Sequence, residues 1–404
     1  MKESNKRQIC QSGPVLEESN SSPWVSVFGN RFTEVDIAGV AGVLKSHLVG
    51  AGAKTVEFER RFRERIGFKH AVATNSATSA FWLLIRALGF GADDEVILPN
   101  IHFHGLATTL DLLGVPYAIC DVSPSVPNLM VENVQGRINK KTRAIIFLDY
   151  GGFPAPGREV KHYLAGIGRK DVKLILDAAN SQFTKVDGAY AARQHDFAFY
   201  SFDMNKILVT GDGGMVLSDD REVIERVRSL AYYGIKERHK SGFDKARHGA
   251  TRWWKFTVEE PSLNMVMNNI AASLGLTQLD QVDEWLGKRK HLKEFYLNRF
   301  VPLAARGLLS LPRASVNVEN DLFFFWVKAP TEAVRDGLAK FLLKKGIYTT
   351  VKYQPLDASA DTPNAHDFWR RALCLPFHQN IEPVVAEAIV SRVYEYLQKD
   401  RVEK

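Results

Sequence analysis

Between residues 70 and 218 the chain alternates short apolar runs with amphipathic stretches. The runs fall at 71–75, 95–98, 116–122, 143–150, 172–178, 197–202 and 215–218. Several are apolar at consecutive positions; 144–148 contains no polar residue. A strand with one wet face alternates, whereas a strand buried on both faces does not. The pattern therefore predicts an α/β fold, a mostly parallel sheet flanked by helices. The alternation breaks at 236–255, which carries seven basic residues, two acids and the pair Trp253 and Trp254, and reads as a long loop. From 264 to about 298 a helical period predicts one long helix. Beyond it, a strand at 322–327 and an amphipathic helix at 384–397 describe a smaller α/β domain. Residues 1–22 are polar and aperiodic and read as a mobile arm. The expected division is this arm, a large domain over 23–263 and a small C-terminal domain over 264–404, which suits a chain of 404 residues.

Composition changes this picture little. With 45% apolar and 25% charged residues, the chain reads as a soluble globular protein. A net charge of +7 over this length calls for no nucleic-acid role, and an anionic small substrate accounts for it. Cys10, Cys120 and Cys374 are odd in number and far apart, which argues against a disulfide framework and for a reducing compartment. The opening residues lack the apolar core of a signal peptide, and the longest apolar runs are too short to span a membrane. The expected location is the cytoplasm.

Candidate chemistry gathers at the predicted strand ends. Asp177 closes one run. Lys206, 29 residues on, follows Ser201, Phe202, Asp203, Met204 and Asn205 and precedes Gly211, Asp212, Gly213 and Gly214. Taken singly, the two are a strand-end carboxylate and a surface lysine. Taken together, they are what pyridoxal 5′-phosphate (PLP) requires: an amine to hold its aldehyde as a Schiff base, and an acid to keep its pyridine nitrogen protonated. The segment from Asn75 to Phe81 joins a strand to a helix that begins near Ala77. Free N–H groups there, with the hydroxyls of Thr78 and Ser79, suit a phosphate, and Ser201 offers another hydroxyl. An ordinary N-cap is the blander account of that junction. Phe103 lies in a strand-end loop where a planar ring would rest and stack; as a core aromatic it would carry no message. His102 and His104 flank it without an evident third ligand, so no metal is expected. The glycines at 211–214 lead into a strand, so they suggest close backbone approach beneath a ligand and make no dinucleotide fingerprint.

In this order, residues 177–179, 201–206 and 210–214 resemble the DegT/StrS family of sugar aminotransferases, fold type I PLP enzymes. The similarity runs from about 29 to 397, with weaker echoes at 50–52, 58–59, 150–155 and 374–378. The resemblance implies a fold type I PLP-dependent transferase with a large PLP-binding domain and a smaller C-terminal α/β domain. By it, Lys206 matches the Schiff-base lysine and Asp177 the pyridinium partner. Ala77, Thr78, Ser79 and Ser201 fall at the phosphate, and Phe103 stacks on the ring. Asn180 stands where the family has a longer Gln or a His toward the ring hydroxyl, Val266 where it often has Arg, and Ala77 where it often has Gly. Asn264 matches an asparagine that reaches the phosphate of the neighbouring subunit, which implies a homodimer with shared sites. The implied reaction moves an amino group from an amino acid, with L-glutamate expected, to a keto sugar carried on a nucleotide. An aminotransferase acting on a cyclitol would use the same residues. Lys206 and the scattered cysteines disfavour a sugar dehydratase. A PLP-binding regulator and a nucleic-acid binder are the readings from other classes.

Overall fold

The apolar runs are strands. The computed structural model describes residues 25–235, 246, 249, 251–312, 317–320 and 322–399. The expected arm at 1–22 and most of the basic loop (236–245, 247–248 and 250) lie outside the described residues. The strands are β1 (His70–Thr74), β2 (Glu95–Pro99), β3 (Tyr117–Cys120), β4 (Thr142–Leu148), β5 (Lys173–Asp177), β6 (Lys185–Val186), β7 (Ala189–Tyr190), β8 (Phe197–Ser201), β9 (Gly214–Ser218), β10 (Val318–Glu319), β11 (Phe325–Lys328) and β12 (Ala372–Leu375). The helices are α1 (Glu34–Ser46), α2 (Ala53–Ile66), α3 (Ala77–Leu88), α4 (Gly105–Leu113), α5 (Val131–Gln135), α6 (Gly157–Gly166), α7 (Arg221–Leu230), α8 (Asn269–Ala305), α9 (Glu332–Lys344), α10 (Pro363–Arg371) and α11 (Pro383–Lys399).

The central sheet has the order β1-β9-β8-β5-β4-β2-β3. Six strands run in one direction, and β9 runs antiparallel between β1 and β8. Both faces are covered, as the unbroken apolar runs require. On one face α3, α4 and α7 bury Phe81, Leu84, Leu110 and Val227 against Ile146, Phe199 and Val216. On the other, α2 and the first half of α8 close over Phe58, Phe62, Tyr200 and Phe202, whose rings meet edge to face.

The helix expected from 264 begins only at Asn269, and the stretch before it is extended. Met265 O accepts from Asn75 N–H at 2.9 Å and Val266 bridges Thr74, so this stretch lies against the outer edge of β1. The unpaired edge of β1 needs partners, and that need overrides the helical period. Asn268 then caps α8, accepting from Ala271 N–H at 2.9 Å. The helix runs on to Ala305, and its later residues Tyr296, Phe300 and Leu303 join a separate cluster with Leu338, Leu342, Val390 and Val393. That cluster lies against the two-stranded sheet of β11 and β12, which realises the strand expected at 322–327, and α11 realises the helix expected at 384–397.

Glu59 of α2 ties both helical layers to the edge strand. It accepts from Ala73 N–H of β1 (2.8 Å) and from Arg228 of α7 (2.9 Å), while Arg228 also donates to Ala71 O. Removing one member of a mostly buried pair leaves the other without compensation. Glu59→Ala is expected to lower the unfolding free energy by about 3 kcal/mol, read from the denaturant midpoint. Glu59→Gln, which still accepts from Ala73, should lose less.

Candidate active site

The carboxyl ends of the parallel strands converge on one edge of the sheet, the position where open α/β sheets bind ligands. Thr74, Gly214 and Ser201 lie in one row across β1, β9 and β8, and Asp177 ends the neighbouring β5. Over this edge opens a cavity of about 330 Å³. Its wall includes Ser76, Ala77, Thr78, Phe103, Asp177, Asn180, Ser201, Asp203 and Lys206 from the sheet half of the chain, and Phe323, Lys352 and Tyr353 from the second half.

Lys206 stands on a loop that is pinned at both ends. The buried Gln182 donates to Ser201 O (2.8 Å) and Leu208 O (3.2 Å) and accepts from Leu208 N–H (2.9 Å). Asn30 donates to Met204 O (2.8 Å) and Lys206 O (2.6 Å). Within the loop, Asp203 accepts from both the backbone and the side chain of Asn205 (3.0 Å each). The amine itself lies 4.2 Å from the centre of the Phe323 ring.

Burial sets the electrostatics of the site. It pulls the Lys206 amine down from its ordinary 10.5 to about 8; the anions of Asp177 and Asp203 oppose this, and the Lys352 ammonium adds to it. It pushes the Asp177 carboxyl up from 3.8 to about 6, against the Ala179 N–H and the charge of Lys206. Asp177 Oδ1 accepts that N–H at 2.9 Å. Its Oδ2 faces His102 Nε2 at 3.7 Å, beyond hydrogen-bond reach. His102 Nδ1 accepts from Phe103 N–H at 2.8 Å, and burial lowers its pKa to about 3, so the ring is neutral with its proton on Nε2. His104 lies at the start of α4. Among the described residues no group of three or more His, Cys, Asp or Glu is placed to hold a metal ion.

The first turn of α3 points into the cavity. Ser76 caps the helix, accepting from Ser79 N–H at 3.0 Å, and its hydroxyl meets that of Ser79 at 2.9 Å. Ser76, Ala77 and Thr78 therefore form the wall, and Ser79 lies one layer behind. Ser201 Oγ accepts weakly from Asp203 N–H, at 3.4 Å. Phe103 is 53% exposed and lines the cavity, its ring meeting Tyr353 edge-on at 6.4 Å. Asn180 spends its amide within the protein, accepting from Gly151 N–H and donating to the Tyr353 hydroxyl, each at 3.3 Å. Asn264 is exposed and lies outside the cavity of its own chain. The residues that sequence reasoning missed are Phe323, Lys352 and Tyr353. The aromatic run from Phe323 to Trp326 was the one local signal near any of them.

These residues fit PLP. A half-buried amine and a buried carboxylate share one cavity of suitable size, a neutral histidine N–H backs the carboxylate, and a helix N-terminus with a serine beside it offers donors for a phosphate. Fold and site together define the fold type I class of PLP-dependent enzymes. Within that class the chain belongs to the DegT/DnrJ/EryC1/StrS aminotransferase family, whose pattern matches residues 30–394. It is 34% identical over 357 residues to a dTDP-4-dehydro-2,3,6-trideoxy-D-glucose 4-aminotransferase of Saccharopolyspora spinosa, covering 86% of this chain and 90% of that protein. The crystal structure of the aminotransferase TlmJ from Streptoalloteichus hindustanus superposes with a TM-score of 0.84 at 31% identity, over 93% of this chain and 99% of that one. Helicobacter pylori PseC, an aminotransferase of pseudoaminic acid biosynthesis, superposes at 0.84 over 93% and 100%; at 21% identity it shows the fold alone.

Three outcomes follow from this geometry. PLP uptake needs a neutral amine, so its rate in the cofactor-free protein should rise with pH and level off above about 8, not near 10.5. Asp177→Asn removes the anion that favours the ammonium, so visible absorbance should place that rise at lower pH. At Gly214 an added Cβ would sit 2.4 Å from the Ser76 carbonyl and 2.6 Å from Ala77 N, all backbone. Gly214→Ala should displace the first turn of α3, weaken PLP binding in a titration, and cost about 1–3 kcal/mol of stability.

Proposed function

We propose that this chain transfers the amino group of L-glutamate to the keto carbon of a nucleotide-linked deoxysugar. The observation that carries the reading is that the half-buried Lys206 and the buried Asp177 line one cavity at the carboxyl edge of the sheet. The name of the 34%-identical relative supports a dTDP-linked 4-keto sugar as the acceptor class.

PLP, when bound, supplies an electron sink for the carbon that bears the nitrogen. The remaining work falls to the protein. Lys206 holds the aldehyde carbon between turnovers. With PLP bound, the Lys206 nitrogen, once released by the incoming amine, would take the proton from the donor carbon and deliver it to the carbon of the former aldehyde. Asp177 keeps a proton on the pyridine nitrogen by opposite charge, with the N–H of His102 behind it. The N–H groups of Ala77 and Thr78, the Ser76 and Thr78 hydroxyls and Ser201 take the phosphate, and Phe103 covers one face of the ring.

The assembly in this reading is a homodimer with shared sites. The exposure of Asn264 outside its own cavity supports it, since a second copy can use that side chain. The location in this reading is the cytoplasm; among the described residues no helix is long and apolar enough to cross a membrane.

In the test, wild-type protein loaded with PLP loses its visible band on addition of L-glutamate and regains it with a dTDP-linked 4-keto sugar. Lys206→Ala is expected to slow the first step by roughly 10² or more. Conversion of L-glutamate by Lys206→Ala at the wild-type rate would sink the assignment.

A further inference from the structure

A second cation faces the cavity without a carboxylate to hold it. Lys352 lines the same wall as Lys206. Among the described residues its ammonium makes no ion pair; it lies over the rings of Phe28 (5.4 Å) and Tyr353 (5.6 Å). Such a cradle holds a cation while leaving its hydrogen-bond donors free. Asp177 accepts from Ala179 N–H, Asp203 from Asn205, and Asp212 is exposed; among the described residues none of these three acids on the wall forms an ion pair with Lys352.

The position of Lys352 is fixed from below. The Tyr150 hydroxyl donates to Lys352 O, and two residues earlier Thr350 pairs with Cys374 through bonds of 2.7 and 3.2 Å. The two ammoniums stand along one ribbon of rings. Lys206 lies 4.2 Å from the centre of Phe323, Phe323 stacks on Phe28 at 5.2 Å and 21°, and Lys352 covers Phe28.

Substrate chemistry decides what such a cation meets. In an amino acid the carboxylate is bonded to the very carbon that gives up its nitrogen, so a donor reacting at Lys206 brings its anion close beside that amine. In a nucleotide sugar the phosphates are separated from a 4-keto carbon by the sugar ring. We infer that Lys352 receives the α-carboxylate of the amino donor and so fixes which bond of that donor faces Lys206. The inference rests on the reading of Lys206 as the residue that exchanges with the donor amine.

The test follows a single turnover of PLP-loaded protein with L-glutamate, alongside the binding of thymidine 5′-diphosphate as a probe for a phosphate. Lys352→Gln is expected to retain PLP absorbance and to raise the half-saturating L-glutamate concentration by about tenfold or more, the loss of a charge-assisted hydrogen bond. Lys352→Arg should restore most of it, and both variants should bind thymidine 5′-diphosphate as the wild type does. Unchanged saturation by L-glutamate in Lys352→Gln, or weakened thymidine 5′-diphosphate binding, would overturn the inference. Failure of the wild type itself to react with L-glutamate is a separate result, and it would remove the Lys206 reading together with this one.

Discussion

The site depends on keeping an amine and a carboxylate together in one cavity, largely withdrawn from bulk water. Desolvation acts on both in the same sense, toward neutrality, and takes Lys206 to about 8 and Asp177 to about 6. Each charge partly restores the other, so near neutral pH both remain mostly ionised while standing close to the point of losing charge. In water the same groups would lie far from that point. A lysine near 8 can give up its proton to become a nucleophile and later act as a base. A buried carboxylate keeps its field for whatever cation is placed against it, because bulk water screens it less there.

Holding that pair is a long-range problem, and the hydrogen bonds show how it is met. Lys206 O is bound by Asn30, Asn30 Oδ1 accepts from Gln379, and Gln379 Oε1 accepts from Arg289. Arg289 in turn donates to the carbonyls of Leu322 and Phe323, whose ring lies under the amine. A segment before α1, the middle of α8, the turn before α11 and the strand entry at 322–323 therefore converge on one loop. Gln182 closes the loop from the sheet side. The lysine is positioned by contacts spanning most of the chain, so its register survives only if both halves fold together.

What could be read in the sequence follows the same division. The sheet was legible because burial on both faces leaves an unbroken apolar run, a local property, and each of the seven central strands lies within or next to an expected run. Asp177, Ser201, Lys206 and the start of α3 were legible because strand ends and helix starts carry local signals and the parallel topology brings those ends together. The start of α8 was misread because edge pairing of 265–266 with β1 is a tertiary demand that no helical period records. Gly213 and Gly214 do mark a close approach, but one of protein on protein, to Thr210 and to the Ser76 backbone.

Phe323, Lys352 and Tyr353 were not legible because the one local signal, the aromatic run from Phe323 to Trp326, reads as a strand; only the packing of the second half of the chain against the sheet edge brings them to the site. Asn180 shows the consequence. Its amide is shorter than the glutamine it stands in for, and in isolation that reads as a lost contact. In the folded protein the amide accepts from Gly151 N–H and donates to the Tyr353 hydroxyl. That hydroxyl accepts from Asn180 on the cavity wall, and burial keeps the phenol protonated well beyond neutral pH. The polar group on one wall is thus tied to a hydroxyl supplied from the other half of the chain. A residue-by-residue comparison of motifs records the shorter amide and misses the hydroxyl.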